Sequence, residues 1–460
     1  MFHDSKTLKA ALVAACTLMS ATVEATDERH VTPEELRQDL DQAASIFTST
    51  HPEATWSVSE KALKDQIAHL KSEADHPMSL REAWKLFARL NPAFADAHAA
   101  VYYPDLKTRL QDHVNSGGAV LPITVWLDEN RTPHLAASVT TQVNAQDAPV
   151  ITAINGTDTK MIVNEMLSRA QGDSPAFRKA YVEKRFSDLH WELFGGSNEY
   201  TLTLKTKQGI RHVTVAGAHK VMRPTFPPLE DMVERRILEG DIGYLRVDAF
   251  VYPPEQEKAF FEFMAETWKQ FHEAGVKDVI IDVRNNGGGT DHYWQLGIAP
   301  YVAQKSFPFL SYFKMRLTER NLKLGPIQGP KDSVQEGPFA MMVPIKEDEP
   351  NRIPGKAYIL AGPYSYSSTI LFLTAMQDSG EAIVAGQPTG GRSCSTGRIE
   401  KFALASTGIE LTVPTLIYTR PAGAEGCMSP VQPDVLIETN PTTPEKDIAA
   451  LATYIRKTNN

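Results

Sequence analysis

Ile280-Ile281-Asp282-Val283-Arg284-Asn285-Asn286-Gly287-Gly288-Gly289 is the stretch on which the fold turns. The apolar, β-branched run from Val279 to Val283 reads as a buried strand. It stops on Arg-Asn-Asn and three glycines. Consecutive glycines strip every Cβ from a bend, so backbone N–H groups can turn outward and approach a ligand closely. A strand end of that kind can serve as an anion or oxyanion site. Taken alone, the glycines read equally well as an ordinary turn after a core strand.

Working outward, strands and helices alternate. Gly243 to Val247 predicts a strand, Glu255 to Phe271 an amphipathic helix, and Trp294 to Ala299 a short helix. Ala357 to Ala361 predicts a second buried strand, Ser367 to Gln377 a helix, and Ala382 to Ala385 a strand. That order argues for a βαβ-type core. Glu410 to Tyr418 alternates like a strand, and Pro444 to Lys457 forms a terminal helix. The stretch Leu324 to Pro354, rich in Pro, Lys and Glu, reads as one long irregular connection, either a rim or lid or a disordered insertion.

The N-terminal half differs. Thr32-Pro33-Glu34-Glu35 is a helix start, with Thr as N-cap, Pro at the first position and acids in the first turn. Apolar spacing predicts helices over Leu36 to Phe47, Leu63 to Leu70 and Leu80 to Leu90, ending at Asn91-Pro92. Residues 119–128, 135–140, 149–154 and 200–216 read as strands, with turns at Asn155-Gly156 and Gln208-Gly209. A charged helical insert lies between them, from Lys160 to Trp191. Residues 116–222 thus read as a small β-rich module.

At the very start, Lys6 and Lys9 precede an apolar run from Ala11 to Val23, and Val23-Glu24-Ala25 offers the small residues a signal peptidase reads. The run is shorter than the ~20 residues a bilayer span needs. The expectation is a secretory signal over residues 1–25 and a periplasmic or secreted mature protein. The alternative is a lipoprotein cut at Val13-Ala14-Ala15-Cys16. The net charge of −9 is spread without a basic stripe, which argues against a nucleic-acid partner. With no Cys-x-x-Cys and no His-x-x-x-His, no metal site or cofactor suggests itself.

Tyr358-Ile359-Leu360-Ala361-Gly362-Pro363-Tyr364-Ser365-Tyr366-Ser367-Ser368-Thr369-Ile370 predicts a strand, a tight turn and a helix. A serine at such a junction sits where the helix dipole and free N–H groups stabilise negative charge. Ser and Thr are also the favoured N-caps, so at least one hydroxyl here reads as a cap.

Gly243-Tyr244-Leu245-Arg246-Val247, Ile281 to Gly289, Ser365-Tyr366-Ser367-Ser368, Met376-Gln377-Asp378, Gly386-Gln387-Pro388-Thr389-Gly390-Gly391 and Pro433-Asp434 occur in an order that resembles the C-terminal processing (tail-specific) serine peptidases. That family includes the tricorn protease core and a retinoid-binding protein of the photoreceptor matrix. The resemblance covers residues 223–460. Ile151 to Gly156 looks like the PDZ-type ligand-groove module these enzymes carry. The resemblance implies an α/β (α+β multidomain) fold. Its parts are a helical N-terminal region over 26–115, a PDZ-like module with a helical insert over 116–222, and a ClpP/crotonase-like αβ core over 223–460.

Aligning Met376-Gln377-Asp378 with the family puts the nucleophile at Ser367, where the residues alone leave Ser365 and Ser368 open. The general-base lysine of the tail-specific branch is replaced by Arg392, and the acid three places after the nucleophile by Ile370. A guanidinium stays protonated and cannot take the serine proton. Asp96-Ala97-His98-Ala99 resembles the Asp-Gly-His-Thr segment of the histidine-using, tricorn-like branch, which implies His98 as base, with His292 as runner-up. Glu425 resembles the glutamate of that branch, although the serine it works through is Ala97 here. The resemblance further implies an oxyanion hole from Gly288 or Gly289 and Ser368. Arg392 reads as a substrate-carboxylate contact or as a surface arginine. Cys394 and Cys427 fall in two loops flanking the site by this alignment and are expected to form a disulfide. The expected function is an exported serine peptidase acting on peptides or proteins. A non-catalytic apolar-ligand or peptide binder on the same fold, and an esterase-like hydrolase, are the alternatives.

Overall fold

The computed structural model describes residues 30–137, 149–224, 226–339, 341–438 and 443–459. The expected signal segment, Cys16 and the end of the strand expected at 135–140 lie outside the described residues.

The central sheet has six strands in the order Val435–Leu436, Ala382–Gly386, Ala357–Ala361, Asp278–Asp282, Ile242–Val247 and Val233–Leu238. Neighbours run parallel except for the last pair. Period-2 geometry sends alternate side chains of a strand to opposite faces. Val279, Ile281 and Ile359 pack with Phe260 and Trp268 of helix Pro254–Glu273 and Phe372 of helix Ser368–Asp378. Ile280, Tyr358 and Leu360 face the other way, onto Ile448, Leu451 and Ile455 of the terminal helix Pro444–Asn459. Burial on both faces is why these strands read as unbroken apolar runs.

A second sheet is built around Glu410–Thr419. Ser395–Ala403 pairs along one side of it, and Ala100–Tyr102 and Tyr312–Arg316 share the other. Val334–Pro338 then pairs with Tyr312–Arg316. The stretch expected to be irregular therefore contains an edge strand, and helix Glu319–Leu324 joins that hairpin. Strand pairing of Pro- and charge-rich segments leaves no apolar period to read, so the sequence hid it.

The third sheet carries Val125–Leu127, Pro133–Leu135, Val150–Ile154, Glu199–Thr206 and Gly209–Ala216 in that order, with Thr157–Asp158 at its side. Helices Thr159–Leu167 and Pro175–Phe194 form the charged insert. The N-terminal helices are Pro33–Thr50, Glu60–Glu73 and Leu80–Phe87. Asn91-Pro92 does not end the helical region; Asn91–Phe94 makes one more turn, which tolerates Pro92 because a first-turn N–H needs no helical partner. One hydrophobic cluster joins Phe47 and Phe87 of these helices to Val182, Leu202 and Leu204 of the module and Leu411 and Val413 of the second sheet. No helix of the described residues is long and apolar enough to cross a membrane.

Candidate active site

The glycine bend is held from below by Asn286, which is wholly buried. Its Nδ2 donates to Val247 O at 3.1 Å. Its Oδ1 accepts from Gly288 N–H at 2.9 Å and from Thr369 Oγ1 at 2.8 Å. The bend is thereby tied to the end of strand Ile242–Val247 and to the helix that follows the serine. Gly288 has φ +100°, and a Cβ there would lie 2.6 Å from Ser367 Cβ. Gly289, at φ +142°, would put a Cβ 2.0 Å from Phe250 O. Glycine at these two positions is a steric requirement, with backbone pressed against the serine on one side and a neighbouring chain segment on the other.

Ser367 stands between strand Ala357–Ala361 and helix Ser368–Asp378 with φ 56° and ψ −125°. A non-glycine residue in that region costs of order 1–3 kcal/mol and persists only where its surroundings enforce it. The flanking serines are engaged elsewhere. Ser365 Oγ donates to Val283 O at 2.8 Å and accepts from Gly362 N–H. Ser368 Oγ donates to Asp291 Oδ1 at 2.5 Å. The structure thus separates three serines that the residues alone left open.

Ser367 Oγ lies 3.0 Å from His98 Nε2. His98 enters the site because the chain just after it, Ala100–Tyr102, adds as a strand to Glu410–Thr419, with Ala100 opposite Thr412. Thr412 Oγ1 donates to His98 O at 2.9 Å. On the far side of the ring, Nδ1 lies 2.9 Å from Thr396 Oγ1, and Thr396 Oγ1 donates to Asp96 Oδ1 at 3.0 Å. With its own hydrogen on Asp96, the Thr396 oxygen accepts the Nδ1 hydrogen. That tautomer leaves Nε2 as an acceptor toward Ser367. Burial pushes His98 below the ordinary histidine value, against the pull of Asp96 and Asp173. A neutral imidazole follows at neutral pH.

Asp96 also accepts from His98 N–H at 2.8 Å, and buried His51 puts Nε2 3.9 Å from its other oxygen. Burial opposes its ionisation, but the His51 and His98 rings outweigh that and hold the carboxyl at about 2. Tyr366 packs on the His98 ring and donates to Asp173 Oδ1 at 2.7 Å. Asp173 accepts in addition from Ala97 N–H and Arg392 N–H, each at 3.0 Å. Thr396, Asp96 as a side chain, Asp173 and Tyr366 had no sequence signal of their own, except that Asp96 stands in the His98 motif and Tyr366 in the serine motif.

The other expected residues divide. Glu425 is exposed on its loop, and the His98 ring nitrogens are occupied by Ser367 and Thr396, so Glu425 does not orient the ring. Arg392 is not open to a substrate: its Nη1 donates to Ala95 O at 2.8 Å and lies 3.8 Å from Asp173 Oδ2. His292 faces Glu257 at 3.4 Å on the helical side of the glycine bend. Among the oxyanion candidates, the Gly288 N–H is already committed to Asn286. Among the described residues, the N–H groups of Gly289 and Ser368 donate to no protein acceptor. Cys394 and Cys427 are joined as a disulfide, and Cys394 N–H donates to Cys427 O. No group of His, Cys, Asp and Glu among the described residues is arranged to hold a metal ion.

A serine on a forced elbow, in hydrogen-bond reach of a buried neutral histidine and beside free backbone donors, has the design of a serine-type peptidase. Residues 241–437 match the family model described as Peptidase family S41. That domain is similar to peptidase family S41, in keeping with the resemblance its motifs carry. Mature CPAF complexed with lactacystin is similar in fold, with a TM-score of 0.65 at 14% identity over 93% of this chain and 97% of that one. Mature CPAF alone gives 0.65 at 14% over 93% and 96%. The photosystem II D1 C-terminal processing protease gives 0.47 at 15% over 89% and 94%.

Proposed function

We propose that this chain is an exported peptidase that cleaves peptide bonds through an acyl-enzyme on Ser367, with His98 as general base. The observation that carries the reading is the 3.0 Å approach of Ser367 Oγ to His98 Nε2 in the tautomer set by Thr396. His98 takes the serine proton as Oγ attacks the carbonyl carbon. It returns that proton to the departing amine as the C–N bond breaks. Water, deprotonated by the same nitrogen, then attacks the acyl carbonyl, and that proton passes to Ser367 Oγ as its bond to the acyl group breaks. The N–H groups of Gly289 and Ser368 serve the developing oxyanion, where one such donor is worth roughly 10²–10³ in rate. Asp96, acting through Thr396, takes the orienting role expected of Glu425. Residues 116–222 act as a PDZ-like peptide-holding module beside the core over 223–460, and 26–115 deliver the histidine. Export rests on the signal-like residues 1–25 and agrees with a disulfide, which persists in oxidising compartments.

The test is fluorophosphonate labelling of purified protein. The parent labels, Ser367→Ala does not, and His98→Ala labels slower by orders of magnitude. An unlabelled parent, or labelling unchanged in His98→Ala, overturns the reading.

A further inference from the structure

Two cations share a cavity beside the nucleophile, and neither has an acid of its own. The cavity, of about 320 Å³, is lined by Gly287 and Gly288 of the glycine bend, by Tyr364, and by Lys184 and Arg223. A Cβ on Gly288 would lie 2.6 Å from Ser367 Cβ, so this wall backs directly onto the nucleophile. Tyr364 fixes where the charges stand. Its ring lies 3.2 Å from the point a Gly287 Cβ would occupy. Arg223 Nη2 donates to its hydroxyl at 3.1 Å, and the Lys184 ammonium lies 5.7 Å from its ring centroid. Lys184 comes from helix Pro175–Phe194 of the charged insert, and Arg223 from the connection that leaves the third sheet. Both side chains are exposed, so an incoming group can reach them.

The acids that could neutralise them are taken. Asp248 lines the same cavity but is paired with Arg246. Glu183 is paired with Lys179 at 2.8 Å and accepts from Leu127 N–H. Among the described residues, neither Lys184 nor Arg223 is in an ion pair. Burial pushes the Lys184 ammonium below its ordinary value, and the charge of Arg223 acts in the same direction against the pull of Asp248. Two uncompensated like charges in one concave wall raise each other's cost, and an anion between them relieves both. A cationic side chain would add to the repulsion, and a neutral one would leave it. Phe226, Pro227 and Met232 complete the lining and give apolar contact to the stem of such an anion.

We propose that this cavity binds the side-chain carboxylate of a substrate aspartate or glutamate, at a position next to the scissile bond or one removed from it. The inference rests on the peptidase reading of Ser367. Lys184 and Arg223 are specificity residues in it and touch no reacting atom.

The experiment digests a mixed peptide library, once with free and once with amidated C-termini, and reads the cleavage sites by mass spectrometry. Fluorophosphonate labelling of the parent runs alongside. Glu and Asp should be enriched ~10-fold over Gln and Asn, which match them in shape, at one position beside the cleavage site in both libraries. The enrichment should shrink as salt rises from about 0.05 to about 0.5 M, since the cations are exposed. Lys184→Gln and Arg223→Gln should each reduce it several-fold, and Lys184→Glu/Arg223→Glu should turn the preference toward Lys and Arg. A parent that labels but cleaves with no difference between acid and amide, or cleaves nothing, overturns the pocket and leaves the peptidase reading standing. Enrichment that survives the double charge reversal overturns it too. Cleavage that requires the free C-terminus and ignores the side chain assigns the cations to the chain end and overturns the side-chain pocket. If the parent neither labels nor cleaves, both readings fall together.

Discussion

Thr396 Oγ1 stands between His98 and Asp96, 2.9 Å from the ring nitrogen and 3.0 Å from the carboxylate. A hydroxyl thus occupies the position at which a serine-peptidase histidine more often meets an acid directly. Because a hydroxyl passes on orientation and polarisation, the carboxylate acts at second hand. Thr396→Val keeps the shape and removes the relay. Its labelling rate should fall by about 10²-fold or more, Thr396→Ser should retain most of it, and thermal stability should change little. Equal rates for Val and parent would refute the relay.

The same arrangement distinguishes two acids. Asp96→Asn should reduce turnover by about 10²–10⁴-fold by disturbing the His98 tautomer. Glu425→Gln, on an exposed loop, should leave it within about twofold. Measuring kcat/KM for both variants with one peptide decides which acid serves the histidine.

Burial holds His98 below the ordinary histidine value, so its base form persists into mildly acidic solution. The acidic limb of the labelling rate should therefore fall below the ordinary histidine range near 6.5 rather than at it. Tyr366→Leu, which opens the ring to water, should move that limb upward. A limb at or above the ordinary value in the parent would contradict this.

His190, buried with an unpartnered Nδ1, is pushed down by burial to about 4. Its folded value lies below its unfolded one, so the unfolded chain binds the extra proton between them. Stability is then full above about 6.5 and declines as pH falls toward 4, by roughly 3 kcal/mol in total. His190→Phe should flatten the melting temperature over that window, as followed by calorimetry.

The disulfide closes a loop of 33 residues and fastens the start of the strand that carries Thr396. Thiol titration of denatured, unreduced chain 26–460 should find no free thiol. Loop-closure entropy puts its removal at about 3–4 kcal/mol, seen as a lower melting temperature in Cys394→Ser/Cys427→Ser. Arg392→Ala should also destabilise, by about 3 kcal/mol, because it leaves Asp173 buried without its cation; the two losses are read separately by thermal melting.

The sequence by itself determined the pieces whose signal is local. The β-branched run at Val279 to Val283, the three glycines after it, the serine-rich junction before Ile370 and the capped helix at Thr32 all follow from short-range sterics and period. The pairing of Cys394 with Cys427 and the choice of Ser367 and His98 were reached through motif resemblance. What only the tertiary structure decided was long-range register. His98 reaches Ser367 because Ala100 pairs with Thr412, some three hundred residues on, and the same sheet sets Thr396 at the ring while leaving Glu425 in solvent. Asn286 taking the Gly288 N–H, and Asp173 taking Arg392, are likewise matters of burial and of which donor meets which acceptor. Such partnerships have no period along the chain, because the residues that satisfy one another are brought together only when the sheets close.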